Sequence, residues 1–92
     1  MTILNDSEIH RELKNLIGWI RIGDEIKKKF EFKDFVQAMG FVNSIALLAE
    51  RANHHPDIDI RWNKVTLVLS THSEGGLTEK DFVLARQINL LK

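Results

Sequence analysis

Between Asp57 and Thr71 the residues alternate in a way that leaves the chain few folds to choose from. Ile58, Ile60 and Trp62 fall between Asp57, Asp59 and Arg61; past Asn63-Lys64, the residues Val65, Leu67 and Leu69 are interleaved with Thr66, Val68 and Ser70. A period of two sends successive side chains to opposite faces of a strand, so each run is a strand with one apolar face. A two-residue turn at Asn63-Lys64 would pair Trp62 with Val65 and Ile60 with Leu67, gathering the large apolar groups on one side of a hairpin. An isolated hairpin is marginal in water. The remaining segments therefore have to widen the sheet and cover that face.

They carry the means to do both. Trp19 to Ile22 and Ile26 to Phe32 read as a second hairpin around Gly23-Asp24, with Ile26, Phe30 and Phe32 on one face and Lys27, Lys29 and Glu31 on the other. Lys28 interrupts the apolar face, and the sequence offers no reason for it. Asn5 and Glu8 stand at capping-box spacing before Ile9, Leu13, Leu16 and Ile17, which predicts a short helix stopped at Gly18. Asp34 and Gln37 open the longest helical pattern, Phe35 to Ala52, apolar around much of its circumference and so facing more than one neighbour. Gly40 within it costs about 1 kcal/mol against Ala, which predicts close packing there. Pro56 ends the helix. Thr78 and Asp81 form another capping box, with Leu77 and Phe82 as a hydrophobic staple, ahead of Leu84, Ala85, Ile88 and Leu91. The order α-β-β-α-β-β-α implies an α+β fold with the sheet covered on one face.

Composition narrows the function classes. Thirteen basic residues balance thirteen acidic ones, without the basic excess that phosphate-dominated nucleic-acid binding requires. The one basic run, Lys27-Lys28-Lys29, reads as a solvated or edge-strand feature. The absence of cysteine excludes disulfides, zinc-thiolate sites and thiol catalysis. No stretch approaches the ~18 apolar residues of a membrane span, and the start has no leader pattern, so a cytoplasmic protein is expected. Residues 1–92 read as one domain, small enough that oligomerisation is an expected source of stability.

Ionisable chemistry concentrates between Glu50 and Asp81, where three of the four histidines lie. The hairpin register, extended to its open end, sets His55 opposite His72. Glu50 precedes His54 by four residues, which would stack them on one helix face. Asp81 falls on the inward side of the last helix with Leu84 and Ile88. Imidazoles titrate near pH 6.5 and exchange protons at neutral pH, and a neighbouring carboxylate holds the ring's tautomer. Ser70 and Ser73 lie near His72 without the arrangement of an activated nucleophile. Each feature has a plainer reading as well: a loop end before proline, a helix cap at Asp81, a core position for Trp62. A metal site of His54, His55, His72 and Asp81 would need adjacent ligands and shows no standard spacing.

The pattern Glu50-x3-His54-His55-Pro56-x5-Trp62-x9-His72-x8-Asp81 resembles the signature of the pterin-4a-carbinolamine dehydratases. Gly18-Trp19, Phe30 to Phe35, Asn63-Lys64-Val65, Ser70-Thr71-His72 and Gly76-Leu77-Thr78 are similar to that family too, so the likeness runs from about residue 13 to the end. The resemblance implies a four-stranded antiparallel sheet with helices on one face, and dehydration of 4a-hydroxytetrahydrobiopterin to quinonoid dihydropterin without a metal or redox cofactor. It implies His54 and His72 as the proton-transfer pair and His55 as a pterin-orienting or acid group. Glu50, Trp62, Ser70, Thr71 and Asp81 would bind substrate or shape its pocket. It also implies homodimers or homotetramers, and a link to an aromatic amino-acid hydroxylase that makes the substrate. Asp57 to Arg61 departs from animal members, which carry an aromatic pair and an Asn there; that bears on the outer wall of the pocket and on the substrate side chain. Animal members also stabilise dimers of a transcription factor, so a binding role on the apolar helix stands as the second reading.

Overall fold

The computed structural model describes residues 2–92. Its elements are α1 (Asp6–Lys14), β1 (Ile20–Ile22), β2 (Glu25–Glu31), α2 (Phe35–Ala52), β3 (Asp57–Arg61), β4 (Lys64–Leu69), a 3-10 turn over His72–Glu74, and α3 (Glu79–Asn89). The four strands form one antiparallel sheet in the order β1-β2-β4-β3, so the two hairpins join through their inner strands. Ile26 and Phe30 of β2 and Val65, Leu67 and Leu69 of β4 form the covered face. Ala38, Phe41, Ile45 and Ala49 of α2, at helical spacing, and Phe82, Leu84, Ala85 and Ile88 of α3 close over it. Each large aliphatic or aromatic side chain so buried contributes roughly 1.5–3 kcal/mol. The α+β architecture is the one the patterning predicts.

Local signals place most helix ends. Asn5 Oδ1 accepts from the Glu8 N–H at 2.8 Å and Glu8 Oε1 accepts from the Asn5 N–H at 2.9 Å, a complete capping box. Asp34 Oδ1 accepts from the Gln37 N–H at 2.9 Å, while the Gln37 side chain reaches Lys33 N–H instead of the cap. α1 ends at Lys14, before Gly18, and Ile17 is left exposed.

Several expectations are corrected. The β3–β4 hairpin turns at Trp62-Asn63: Arg61 lies opposite Lys64, Ile60 opposite Val65 and Ile58 opposite Leu67. The register differs by two residues from the expected one, and an even shift preserves the faces. Asn63 Nδ2 donates to Phe32 O at 2.8 Å and Phe32 N–H donates to Asn63 O at 2.9 Å, which continues the β2–β4 pairing into this turn. Trp62 consequently sits in the turn, left-handed at φ 52°, and 64% exposed rather than in the core. β2 is a central strand, so Lys27 and Lys29 are not edge residues but project from the uncovered face. Gly40 meets open space, not a packed neighbour.

Lys28 also finds its reason. Its Nζ donates to Ile17 O at 2.9 Å and to Asn89 Oδ1 at 3.0 Å, and lies 4.6 Å from the centroid of the Phe30 ring. Those are three acceptors for three N–H bonds. Trp19 Nε1 donates to the same Asn89 oxygen, and Asn89 Nδ2 to Ile17 O. The lysine stem runs so close to Gly18 (φ 86°) that a Cβ there would stand 2.6 Å from Lys28 Cε. Burial, and secondarily the Lys92 ammonium, hold the Lys28 pKa below the ordinary lysine value. The folded chain therefore releases this proton more readily than the unfolded one, and stability from this group rises with pH until the unfolded lysine also titrates. Urea denaturation across the alkaline range ending near 10.5 should show the wild type gaining stability relative to Lys28→Met as pH increases.

Candidate active site

α2 stops because Asn53 adopts the left-handed conformation (φ 50°, ψ 43°) one residue after Ala52, with Pro56 close behind. This turn carries His54 off the helix axis, so the expected stacking of Glu50 on His54 does not form. Glu50 Oε2 instead meets His55 Nε2 at 2.5 Å, both side chains largely exposed, and His54 Nε2 meets Asp81 Oδ1 at 2.6 Å. The His54 side chain is 11% exposed and Asp81 is fully buried.

Asp81 comes from the first turn of α3, and its carboxylate is satisfied on both oxygens. Thr71 Oγ1 donates to Oδ2 at 2.8 Å and Thr78 N–H donates to the same oxygen at 2.9 Å. Because the single Thr71 hydroxyl proton points to Asp81, Thr78 Oγ1 donates to Thr71 Oγ1 at 2.8 Å. Thr71 is itself held by an isolated bridge to Gly76, which closes the loop that displays His72 on its 3-10 turn. The expected pairing of His55 with His72 across the hairpin is replaced by this loop, since the observed register would carry His55 toward Ser70.

The tautomer of His54 follows from its partner. Nε2 carries the proton donated to Asp81, which leaves Nδ1 as the second nitrogen. None of the hydrogen bonds among the described residues uses Nδ1, and no buried side-chain nitrogen or oxygen there lacks a partner. Nδ1 therefore faces accessible space.

His54 borders a cavity of about 390 Å³ that it shares with His55 and His72, with Ser70, Thr71 and Lys80 among its walls. A larger depression of about 550 Å³ lies on the uncovered sheet face, but it holds no histidine and its floor is strand side chains such as Lys27, Thr66 and Val68. The convergence of titratable groups singles out the smaller one. Asp81 stands behind His54, and Glu50 on the outer side of His55. Trp62 lies at the hairpin tip, separated from the histidines by the five residues of β3, roughly 17 Å at 3.4 Å per residue. Sequence reasoning did not select Lys80 or Asn53 as lining residues and named Ser73 only as a serine near His72. Each is adjacent in the chain to a residue it did select, and that adjacency was the available signal.

The class of protein this defines is a small α+β fold that presents three imidazoles, one of them oriented by a buried carboxylate, to a single ligand-sized volume. Comparison with known proteins makes it particular. The family model described as pterin 4 alpha carbinolamine dehydratase matches residues 2–91. A protein of Roseiflexus castenholzii, provisionally named a pterin-4-alpha-carbinolamine dehydratase, is 60% identical over 87 residues, covering 95% of this chain and 94% of its own. The crystal structure of a transcriptional coactivator/pterin dehydratase from Brucella melitensis superposes with a TM-score of 0.95 at 40% identity, covering 98% of each chain. A pterin dehydratase-like protein identified as a RuBisCO assembly factor in the alpha-carboxysome shares the fold at a TM-score of 0.67 and 23% identity, over 79% of this chain and 84% of its own. The chain belongs to the pterin-4-alpha-carbinolamine dehydratase family.

Asp81→Asn tests the orienting carboxylate directly. The amide would set an N–H₂ against one of three donors, and leaving a buried donor unpaired costs about 1–3 kcal/mol, readable by urea denaturation. In ¹⁵N–¹H imidazole spectra the neutral wild-type His54 should carry its proton on Nε2, and the variant should lose that preference.

Proposed function

We propose that this protein dehydrates 4a-hydroxytetrahydrobiopterin to quinonoid dihydropterin and water, a step in reuse of the pterin after an aromatic amino-acid hydroxylase has oxidised it. The observation that carries the reading is the cavity shared by His54, His55 and His72 in a chain of this family, with His54 held by Asp81. The reaction needs one proton delivered and one removed. A proton goes to the C4a hydroxyl, the C4a–O bond breaks to release water, and the N5 proton leaves as the C4a=N5 double bond forms.

His54 is suited to the removal. Asp81 keeps the proton on Nε2, so neutral His54 offers the Nδ1 lone pair to N5, and the ring need not reorient at the moment of transfer. His72, exposed on its turn and with no side-chain hydrogen bond among the described residues, takes a proton from solvent and delivers it to the departing hydroxyl. His55 and Glu50 form an exposed pair at the rim that orients the pterin, and Ser70 and Thr71 shape the wall. A positioned acid or base contributes roughly 10²–10⁴-fold. Stopped-flow absorbance should show that the protein speeds quinonoid formation from enzymatically generated 4a-hydroxypterin. His54→Ala and His72→Ala should each slow it at least about tenfold with the circular dichroism unchanged. A wild-type rate equal to that in buffer rejects the assignment.

A second, compatible role is favoured by the outward side of α2. Val36 and Leu47 are 77% and 76% exposed, Phe35 is half exposed, and Gly40 lies in open space on the stripe between Val36 and Leu47. An apolar helix stripe with a glycine at its middle suits close approach of another helix, either from a second copy or from a partner protein. No helix among the described residues is long and apolar enough to cross a membrane. Light scattering after gel filtration should report a homo-oligomer that Leu47→Glu dissociates. A wild type that runs at 10.6 kDa would assign the stripe to a different protein.

A further inference from the structure

A second concavity adjoins the histidine cavity, and the two share His54 and Lys80. It lies between the end of α2 and α3 and measures about 290 Å³. Ala52, Val83 and Leu84 supply apolar walls, and Glu79, Lys80 and Gln87 stand as its polar side chains. At about 30 Å³ per water the groove holds roughly ten waters, space for a short carbon chain with hydroxyl groups. His54, 11% exposed, borders both the polar chamber and this mostly apolar one.

We propose that this α2–α3 groove is the subsite for the carbon substituent at C6 of the pterin, and that Ala52 and Val83 determine how long a substituent the protein accepts. The inference rests on the dehydratase reading and deepens it. The connectivity of the substrate supports it: in a tetrahydropterin N5 is bonded directly to both C4a and C6. With N5 at His54 Nδ1, the first atom of a C6 substituent lies within two bonds of the atom facing that imidazole. A chain leaving C6 alongside His54 meets the groove that begins at the same ring. Apolar walls take its carbon stem, and the Lys80 ammonium and Gln87 amide are available to hydroxyl groups farther out. The bicycle itself is flat and edged with nitrogen and oxygen, which suits the polar chamber of Ser70, Thr71 and His72 and not the groove.

The test compares two substrates that differ only at C6, the 4a-hydroxy adducts of tetrahydrobiopterin and of 6-methyltetrahydropterin. Wild type should favour the dihydroxypropyl compound in kcat/KM by about tenfold, the low end of what added carbon atoms give in an apolar pocket. Val83→Trp, which fills the groove from α3, should bring that ratio toward one by slowing the longer substrate and leaving the 6-methyl rate within about twofold. Ala52→Trp fills it from α2 and is read in the same way should the first variant not fold. Equal losses on both substrates, or a preference untouched by either filled groove, overturns the subsite. Binding of 7,8-dihydrobiopterin and 6-methyl-7,8-dihydropterin, followed by calorimetry, separates this from the reaction itself. If wild type turns over neither substrate, the dehydratase reading fails; a filled groove that weakens the first ligand alone still upholds the subsite, and one that weakens both or neither removes it.

Discussion

The site depends on a carboxylate that no water reaches. Asp81 is fully buried, and taking such a charge from water costs several kcal/mol unless donors replace the solvent. Three do: the His54 imidazole from the end of α2, the Thr71 hydroxyl from the loop after β4, and the Thr78 backbone at the start of α3. The first turn of a helix also favours negative charge. Because each donor belongs to a different segment, satisfying this one group positions all three relative to one another. The same bonds that offset a desolvation penalty hold the His54 ring by Nε2 and leave Nδ1 out of the Asp81 cluster.

Against that largely buried imidazole the other two are exposed. His72 rides on a short turn closed by the Thr71–Gly76 bridge, and His55 pairs only with an exposed glutamate. The far side of the molecule is held by a different polar cluster. Lys28, Asn89, Trp19 and the Ile17 carbonyl tie the segment before β1 to the end of α3, with Gly18 leaving room for the lysine stem. α3 is thus anchored at its start by Asp81 and at its end by Asn89, and the α2–α3 groove runs along it from Glu79 to Gln87.

The relatives show that the fold carries more than one kind of work. One solved structure is described as both coactivator and pterin dehydratase, and another, at identity too low to show more than the fold, as an assembly factor. Function lives in the site and not in the sheet. In this chain three histidines line the cavity, while Val36 and Leu47 on the outward side of α2 are exposed and form no part of it.

Much of the architecture was written locally. Capping residues, the period of two, the Gly23-Asp24 turn and Pro56 specify elements through contacts within a few positions, so the limits of α2 and the order of the elements could be read without coordinates. The histidine cluster was legible for the same reason that any spaced pattern is. What depended on tertiary contacts came out differently. Alternation is unchanged by a shift of two residues, so it identified the buried face of the second hairpin but not its register, which turns on a left-handed Trp62. Helical spacing put Glu50 with His54, but the left-handed Asn53 and the need of a buried Asp81 for donors gave His54 to Asp81 and Glu50 to His55. Trp62 at the turn, Lys28 among three acceptors and the groove beside His54 are likewise set by residues far apart in the chain. The residues alone determined which segments form helices and strands and that three histidines gather between Glu50 and Asp81; only three-dimensional packing decided which partner each polar group takes, since buried donors and acceptors are satisfied through space and not along the sequence.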